Sequence, residues 1–270
     1  IEKLNDATLM MGIPTYYSRL LSNNNFNKQQ CKNIRLFISG SAPLTEMIFH
    51  EFYSKIGQNI LERYGMSETG MITSNPLRGD RIAGTVGFAL PDIEIRVCDE
   101  SGKVLPINSR GNVEVKGPNV FRGYWQLEEK TKTELGSDGF FKTGDIGEID
   151  SEGRLSLFGR SSDMIISGGY NIYPKEVELV LDEIDVIKES AVIGCVHDDL
   201  GEAVVAVIIP RDTKKSISND TIKKILLRSL ASFKCPKKYI WLNKLPRNTM
   251  GKVQKKELKK SFNNIFKEGI

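Results

Sequence analysis

A chain of 270 residues can bury a sizeable core as one large domain or two smaller ones. Its hydrophobic fraction of 40% and charged fraction of 27% are ordinary for a soluble globular protein. No apolar run approaches membrane-spanning length, no signal-peptide pattern opens the chain, and a net charge of +4 is too small to argue for a nucleic-acid partner.

In chain order, Ile34 to Ile38 reads as a short buried strand running into Ser39-Gly40-Ser41-Ala42-Pro43. Pro43, placed at a first helical turn, opens an amphipathic helix to about Lys55 with Leu44, Ile48, Phe49 and Phe52 on one face. Asn59 to Tyr64 returns as a strand, and strand–helix–strand alternation predicts a parallel, doubly wound layer. The texture then changes to strict alternation in 93–97 and 112–116, with a turn at Asp99-Glu100-Ser101-Gly102. Phe140 to Ile149 and Arg154 to Phe158 flank a further turn at Asp150-Ser151-Glu152-Gly153. Residues 84–160 therefore read as a small β-barrel or curled sheet attached to the α/β layer.

A second, α+β unit follows a short, glycine-led join at Gly159-Arg160-Ser161-Ser162-Asp163. Its expected elements are a helix from Pro174 to about Asp182, strands at 190–196, 203–209 and 239–242, a helix at 220–230, and a lysine-rich helix from Val253. The fold class is thus α/β with α+β, divided as 1–162 and 163–270. The lysine run Lys252, Lys255, Lys256, Lys259 and Lys260 reads, Lys252 excepted, as a solvated helix face. Four scattered cysteines lack metal-ligand spacing and suit small core positions, and neither His50 nor His197 reads as a general base.

Several clusters carry chemistry. Glu62-Arg63-Tyr64-Gly65-Met66-Ser67-Glu68-Thr69 puts a planar ring, a bend and oxygen ligands in one small volume, as an adenine nucleotide with its magnesium requires. Asp145 in Lys142-Thr143-Gly144-Asp145 could accept a ribose diol, with Arg160 in reach of the same sugar or a phosphate. Ser167-Gly168-Gly169-Tyr170-Asn171 is either a plain turn or a place of close ligand approach. In Pro246-Arg247-Asn248-Thr249-Met250-Gly251-Lys252, the lysine behind a glycine-containing turn is a flexible charge able to swing onto an oxyanion.

Taken in order, Ser39 to Leu44, Tyr64 to Glu68, Thr143 to Asp145, Gly159-Arg160 with Asp163, Ser167 to Glu176 and Pro246 to Lys252 resemble the core motifs of the adenylate-forming acyl-CoA synthetases. Within that superfamily, Glu62 to Met71, Thr73 to Pro76, Ala83 to Gly87, Lys116 to Phe121 and Arg247 to Lys252 are similar to the malonyl-CoA synthetases. The resemblance implies an acid–thiol ligase that uses ATP, Mg2+ and coenzyme A as co-substrate, the small C-terminal domain rotating between the two steps. It assigns Lys252 and Glu68 to catalysis, with Glu68 as the magnesium ligand. Nucleotide and coenzyme A contacts fall on Ser41, Ala42, Pro43, Arg63, Tyr64, Gly65, Met66, Ser67, Asp145, Arg160, Gly168, Gly169 and Tyr170, with Asp163 as hinge. Malonate's free carboxylate falls to Arg19, beside Ser41 and with Arg81 as a second cation.

Acetylation would remove the one charge that matters at Lys252, which makes that lysine an expected acetyltransferase target. Expected partners are otherwise small molecules (malonate, ATP, CoA), with neither nucleic acid nor membrane among them. The family's glycine- and Ser/Thr-rich phosphate loop is not in this sequence, so it is expected upstream of Ile1, the chain being the C-terminal half of an enzyme and inactive in isolation. The default location is the cytoplasm, an organellar leader remaining open. Alternatives are a ligase for methylmalonate or another short or medium-chain acid, an adenylation domain serving a carrier protein, and a non-catalytic nucleotide-binding fragment.

Overall fold

The computed structural model describes residues 2–212, 217–249 and 251–267, which form two compact units divided between Leu157 and Phe158. In the first unit, β1 (Leu9–Gly12), α1 (Pro14–Leu21), β2 (Leu36–Ser39), α2 (Glu46–Ile56) and β3 (Leu61–Met66) follow one another, and β1, β2 and β3 pair in parallel. The antiparallel strands β4 (Gly70–Ser74) and β5 (Phe88–Ala89) complete a five-stranded sheet in the order β1-β2-β3-β4-β5. Phe49, Phe52 and Ile56 are the buried face of α2, and the Phe52 ring meets Tyr17, Phe26 and Phe37 edge-on or tilted at 4.8–6.0 Å. Pro43 does not open this helix. Thr45 caps it by accepting the Ile48 N–H, and Pro43 lies in the loop before it, where the Leu44 N–H is donated to the Glu62 carboxylate at 3.0 Å.

The rest of the unit comprises β6 (Glu94–Cys98), β7 (Gly111–Lys116), α3 (Glu128–Glu134), β8 (Phe141–Ile149) and β9 (Leu155–Arg160), the last running through the division between units. Of the barrel and the curled sheet expected here, the barrel is ruled out: the strands form an open four-stranded sheet, β6-β7-β8-β9. Four strands are too few to close around a filled interior. Instead, Leu155 exchanges backbone hydrogen bonds with the Val86–Gly87 segment, at 2.8 and 2.9 Å. Val113, Val115 and Leu155 then share a core with Tyr64, Ile72 and Val86.

In the second unit a hairpin, β10 (Ile165–Ser167) and β11 (Tyr170–Ile172), precedes α4 (Pro174–Asp182), β12 (Ile187–His197), β13 (Gly201–Pro210), α5 (Asn219–Leu226), β14 (Lys238–Trp241) and α6 (Lys255–Phe262). The sheet order is β11-β10-β13-β12, with β14 parallel to β13. Both faces are covered, which is why β13 reads as an unbroken apolar run. Val204, Ala206 and Ile208 pack with Val177 and Leu181 of α4 and Ile222 and Leu226 of α5, whereas Val205, Val207 and Ile209 pack with Leu258 of α6. All four cysteines are buried free thiols. Among the described residues, no helix is long and apolar enough to cross a membrane.

The lysine run is not wholly a solvated face. Lys255 pairs with the buried Glu178 at 2.6 Å, and Lys259 pairs with Glu202, so two of these ammonium groups tie α6 to β13 and to α4 on the other face of the sheet.

Candidate functional site

The first cluster sits where β3 ends. Gly65 falls at a break of register between β3 and β4, and a Cβ there would lie 2.1 Å from the Gly70 carbonyl oxygen and 2.9 Å from Met71 Cα. Only glycine lets the two strands meet this closely. The turn Met66–Thr69 closes with Thr69 N–H donating to Met66 O at 3.1 Å and carries Ser67 and Glu68 outward. Tyr64, 9% exposed, donates its hydroxyl to Asp145 Oδ2 at 2.5 Å. Asp145 reaches it because β8 bulges: Asn112 pairs with Ile146 and Glu114 with Lys142, so Val113 alone faces Thr143, Gly144 and Asp145. Gly144 takes φ 72° in this bulge, and Thr143 Oγ1 accepts the Asp145 N–H while donating to Val113 O. The structure thus brings together Tyr64 and Asp145, residues 81 apart in sequence.

The Ser39–Leu44 loop lies alongside, since a Cβ at Gly40 would be 3.3 Å from Arg63 O. Ser41 holds φ 66°, a left-handed conformation uncommon for a side-chain-bearing residue. Glu62, which heads the motif but had no role of its own assigned, anchors this loop through the Leu44 N–H, and its own carbonyl accepts from Asn75 Nδ2 at 3.2 Å. Glu68 accepts the Tyr124 hydroxyl at 3.2 Å, and that hydroxyl also lies 2.6 Å from Glu134. Burial and the two carboxylates push the Tyr124 phenol well above its ordinary range. Asn119 Nδ2 donates to Thr69 O at 2.7 Å and Phe121 N to Glu68 O at 2.8 Å, so the 117–124 loop fastens the turn from outside. Asn119 lies in the Lys116–Phe121 segment singled out above, without a role of its own there, and no spacing pattern marks Tyr124.

Arg19 lies exposed on α1 and makes no ion pair among the described residues. Arg81 is partly buried in the first unit. Its guanidinium donates to the carbonyls of Asn59, Pro76 and Leu77 at 2.5, 3.2 and 3.1 Å, clamping a loop, and burial draws its pKa down.

The second unit holds the remaining residues. Arg160 ends β9, and Asp163 closes a short 3-10 turn at Ser161–Asp163. Gly168 and Gly169, with φ of 57° and 82°, form the two-residue turn of the β10–β11 hairpin. A Cβ on Gly169 would meet nothing within 4 Å, so the demand on that residue is conformational rather than spatial. Tyr170 is half exposed and stacks on Phe233 at 4.4 Å. Lys252 is exposed on a tight loop between Arg247 and Val253, which pair across it. Met250, part of the same motif, lies outside the described residues.

Comparison with known proteins identifies the class. Residues 2–125 match the AMP-binding enzyme family and residues 176–252 its C-terminal domain. The chain belongs to the adenylate-forming, AMP-binding enzymes. It is 39% identical to a malonate–CoA ligase of Arabidopsis thaliana over 97% of this chain and 46% of that protein. It is 37% identical to a mitochondrial malonate–CoA ligase of Mus musculus over 94% of this chain and 49% of that one. The crystal structure of ATP-bound MatB from Rhodopseudomonas palustris superposes with a TM-score of 0.95 at 50% identity, covering 98% of this chain and 53% of MatB. The chain therefore spans about half the length of the relatives it matches.

Proposed function

We propose that this chain supplies the nucleotide-holding strand ends and the C-terminal domain of an ATP-dependent acid–CoA ligase whose acid is malonate. The observation that carries the reading is the Tyr64–Asp145 hydrogen bond beside the Ser67–Glu68 turn, a ring near the end of β3 and a carboxylate fixed in the bulge of β8. In the first step a substrate carboxylate oxygen attacks the α-phosphorus of ATP, the bond to the bridging oxygen breaks, and pyrophosphate leaves. Tyr64 presents its ring to adenine, Asp145 accepts the ribose hydroxyls, and Lys252 offsets charge gathering on the α-phosphate oxygens. In the second step the coenzyme A sulfur attacks the acyl carbon and AMP departs, with Gly168, Gly169 and Tyr170 bordering its path and Asp163 in the hinge.

Magnesium suits Glu68, because that ion takes one or two carboxylates and completes its shell with water and phosphate oxygens. When bound, it would neutralise phosphate charge. Malonate as the acid rests on Arg19, an exposed guanidinium without an ion-pair partner among the described residues, and on the names of the relatives above.

The test joins this chain to the preceding half of R. palustris MatB. We expect the chimera to prefer malonate to butyrate. Arg19 is exposed in this structure, so the magnitude depends on the bound complex enclosing it: a charge pair desolvated there is worth roughly 2–5 kcal/mol, and Arg19→Leu should then lower kcat/KM for malonate by about thirtyfold to several thousandfold while sparing butyrate. A malonate-to-butyrate ratio unmoved by the substitution would refute malonate recognition through Arg19.

A further inference from the structure

Lys252 is exposed, yet the backbone beneath it is fully engaged. Its N–H donates to Asn248 Oδ1 at 2.9 Å and its carbonyl accepts the Asn248 N–H at 3.0 Å. Gly251, at φ 80°, donates to Asn248 O at 2.9 Å, and Gln254 N–H reaches back to Pro246 O at 2.9 Å. The remaining carbonyl next to the lysine, that of Gly251, accepts Arg247 Nη1 at 2.7 Å. The other arm of the same guanidinium, Nη2, is ion-paired with Glu189. A planar fork is suited to this double duty, because both N–H vectors are fixed relative to each other.

Glu189 is placed for the purpose by an irregularity. Between Ile187 and Glu189, β12 takes one residue more than β13, so Lys188 is extra and the strand bends. From there Glu189 keeps the alternation of Ala191, Ile193 and Cys195, the face that packs with Leu245 at the head of the lysine loop and with Leu258. The pair is about 29% exposed on each side, so it is neither a fully solvated surface bridge nor a core one. Beyond the loop, Lys255 ties the start of α6 to Glu178, which also accepts the Val192 N–H on the outer edge of β12. The loop is thus fastened on both sides of Lys252.

We propose that Glu189 and Arg247 are positioning residues that act through the Gly251 carbonyl to fix the base of the Lys252 stem for adenylation. This rests on the reading of Lys252 given above. An ammonium on a four-carbon stem delivers its charge to one oxygen only if the root of the stem is held, since each unlocked torsion spreads the head group over a wider volume. The structural chain is short: sheet, Glu189, Arg247, Gly251 carbonyl, Lys252.

The experiment uses the MatB chimera and measures the half-reactions separately, malonate-dependent ATP–pyrophosphate exchange for the first and conversion of synthetic malonyl-adenylate with coenzyme A for the second. Glu189→Gln, which keeps shape and removes charge, should lower exchange about three- to tenfold. Arg247→Met should lower it about ten- to a hundredfold, and Arg247→Lys should fail to restore it because a single ammonium cannot fork to both acceptors. The second half-reaction should stay within about twofold for all three variants. Equal losses in both half-reactions would mean that the pair only holds the domain together, and would overturn the proposal. Lys252→Ala separates the two layers of inference. If it abolishes exchange while Glu189→Gln and Arg247→Met keep at least half, the clamp is wrong and the lysine assignment stands. If Lys252→Ala itself retains exchange, the lysine assignment falls and the clamp with it.

Discussion

Substituting Gly65 by alanine should be more damaging than substituting Gly70, although Gly70 is the glycine with the left-handed backbone. A Cβ at Gly65 would sit 2.1 Å from the Gly70 carbonyl oxygen, 2.7 Å from Met71 Cε and 2.9 Å from Met71 Cα. The Met71 methyl can swing away, but the two backbone atoms belong to the paired strand and move only if β3 and β4 separate. Overpacking of this kind costs about 1–3 kcal/mol, and the upper part of that range applies when backbone must yield. Reduced freedom of the unfolded chain returns about 0.4–1 kcal/mol, leaving a net loss of about 2 kcal/mol. At about 2–4 °C per kcal/mol for a chain of this size class, the melting temperature should fall by roughly 4–8 °C. Gly70 has φ 61°, and a Cβ there would meet nothing within 4 Å, so Gly70→Ala carries only the left-handed penalty of about 1 kcal/mol. Thermal unfolding followed by circular dichroism on the three chains gives the ordering directly. Pyrophosphate exchange in the MatB chimera should fall by about a hundredfold for Gly65→Ala, since Tyr64 and Glu68 flank the displaced backbone. A Gly65→Ala chain that melts within about 1 °C of the parent, or above Gly70→Ala, would refute the packing argument.

Tyr64→Phe keeps the ring and deletes the hydroxyl that Asp145 accepts. Loss of a hydrogen bond to a carboxylate is worth about 1.5–3 kcal/mol, so kcat/KM for ATP in the chimera should drop by roughly ten- to 150-fold, and a change under threefold would mean Asp145 is held without it. Asp182 is pushed up to about 7 by burial, which outweighs Lys175 and the Ser190 hydroxyl that favour its charged form. Its folded pKa therefore lies above its unfolded value near 3.9, and its contribution to stability is present at low pH and lost as pH rises through about 7. Asp182→Asn should flatten the fall in melting temperature between pH 4 and 8; an unaltered slope would show that another group titrates. Lys255→Met strips the buried Glu178 of its ion-pair partner and should cost about 1–3 kcal/mol by chemical denaturation, whereas Lys256→Met, on an exposed neighbour, should cost under about 0.5 kcal/mol. Equal effects of the two would return Lys255 to the solvated face.

The helix from Pro174 to about Asp182 was legible because proline and an acidic residue in the first turn are start signals, although the same proline signal put the start of α2 at Pro43, where the Thr45 cap sets it instead. Strands β12 and β13 were legible as apolar runs, though each extends beyond its apolar centre into His197 and Gly201, which pair with each other. By contrast α3, with the sequence EEKTKTE, buries no residue and so has no apolar stripe to reveal it. Barrel and curled sheet both stood open for this segment because alternation reports which face a residue takes, and says nothing of whether edge strands meet. The misread lysines show the same limit, since a charge run looks identical whether its partners are water or a buried carboxylate elsewhere in the fold.

What periodicity could not foresee is concentrated at the site, and for one physical reason. Three of the residues that matter are aimed by breaks in strand register: the step between Tyr64 and Gly65, the Thr143–Asp145 bulge, and the extra Lys188 before Glu189. A regular strand sends successive side chains to alternate faces, so it cannot turn one of them sideways toward a neighbouring strand end. An inserted residue can, at the expense of one or two ladder hydrogen bonds. The break that serves the chemistry is also the break that spoils the sequence pattern. Glycine was visible at two of these points, which is why the motifs could be found; the partners they aim at, 81 residues away for Tyr64 and Asp145 and 58 for Glu189 and Arg247, are fixed only by how the strands stack.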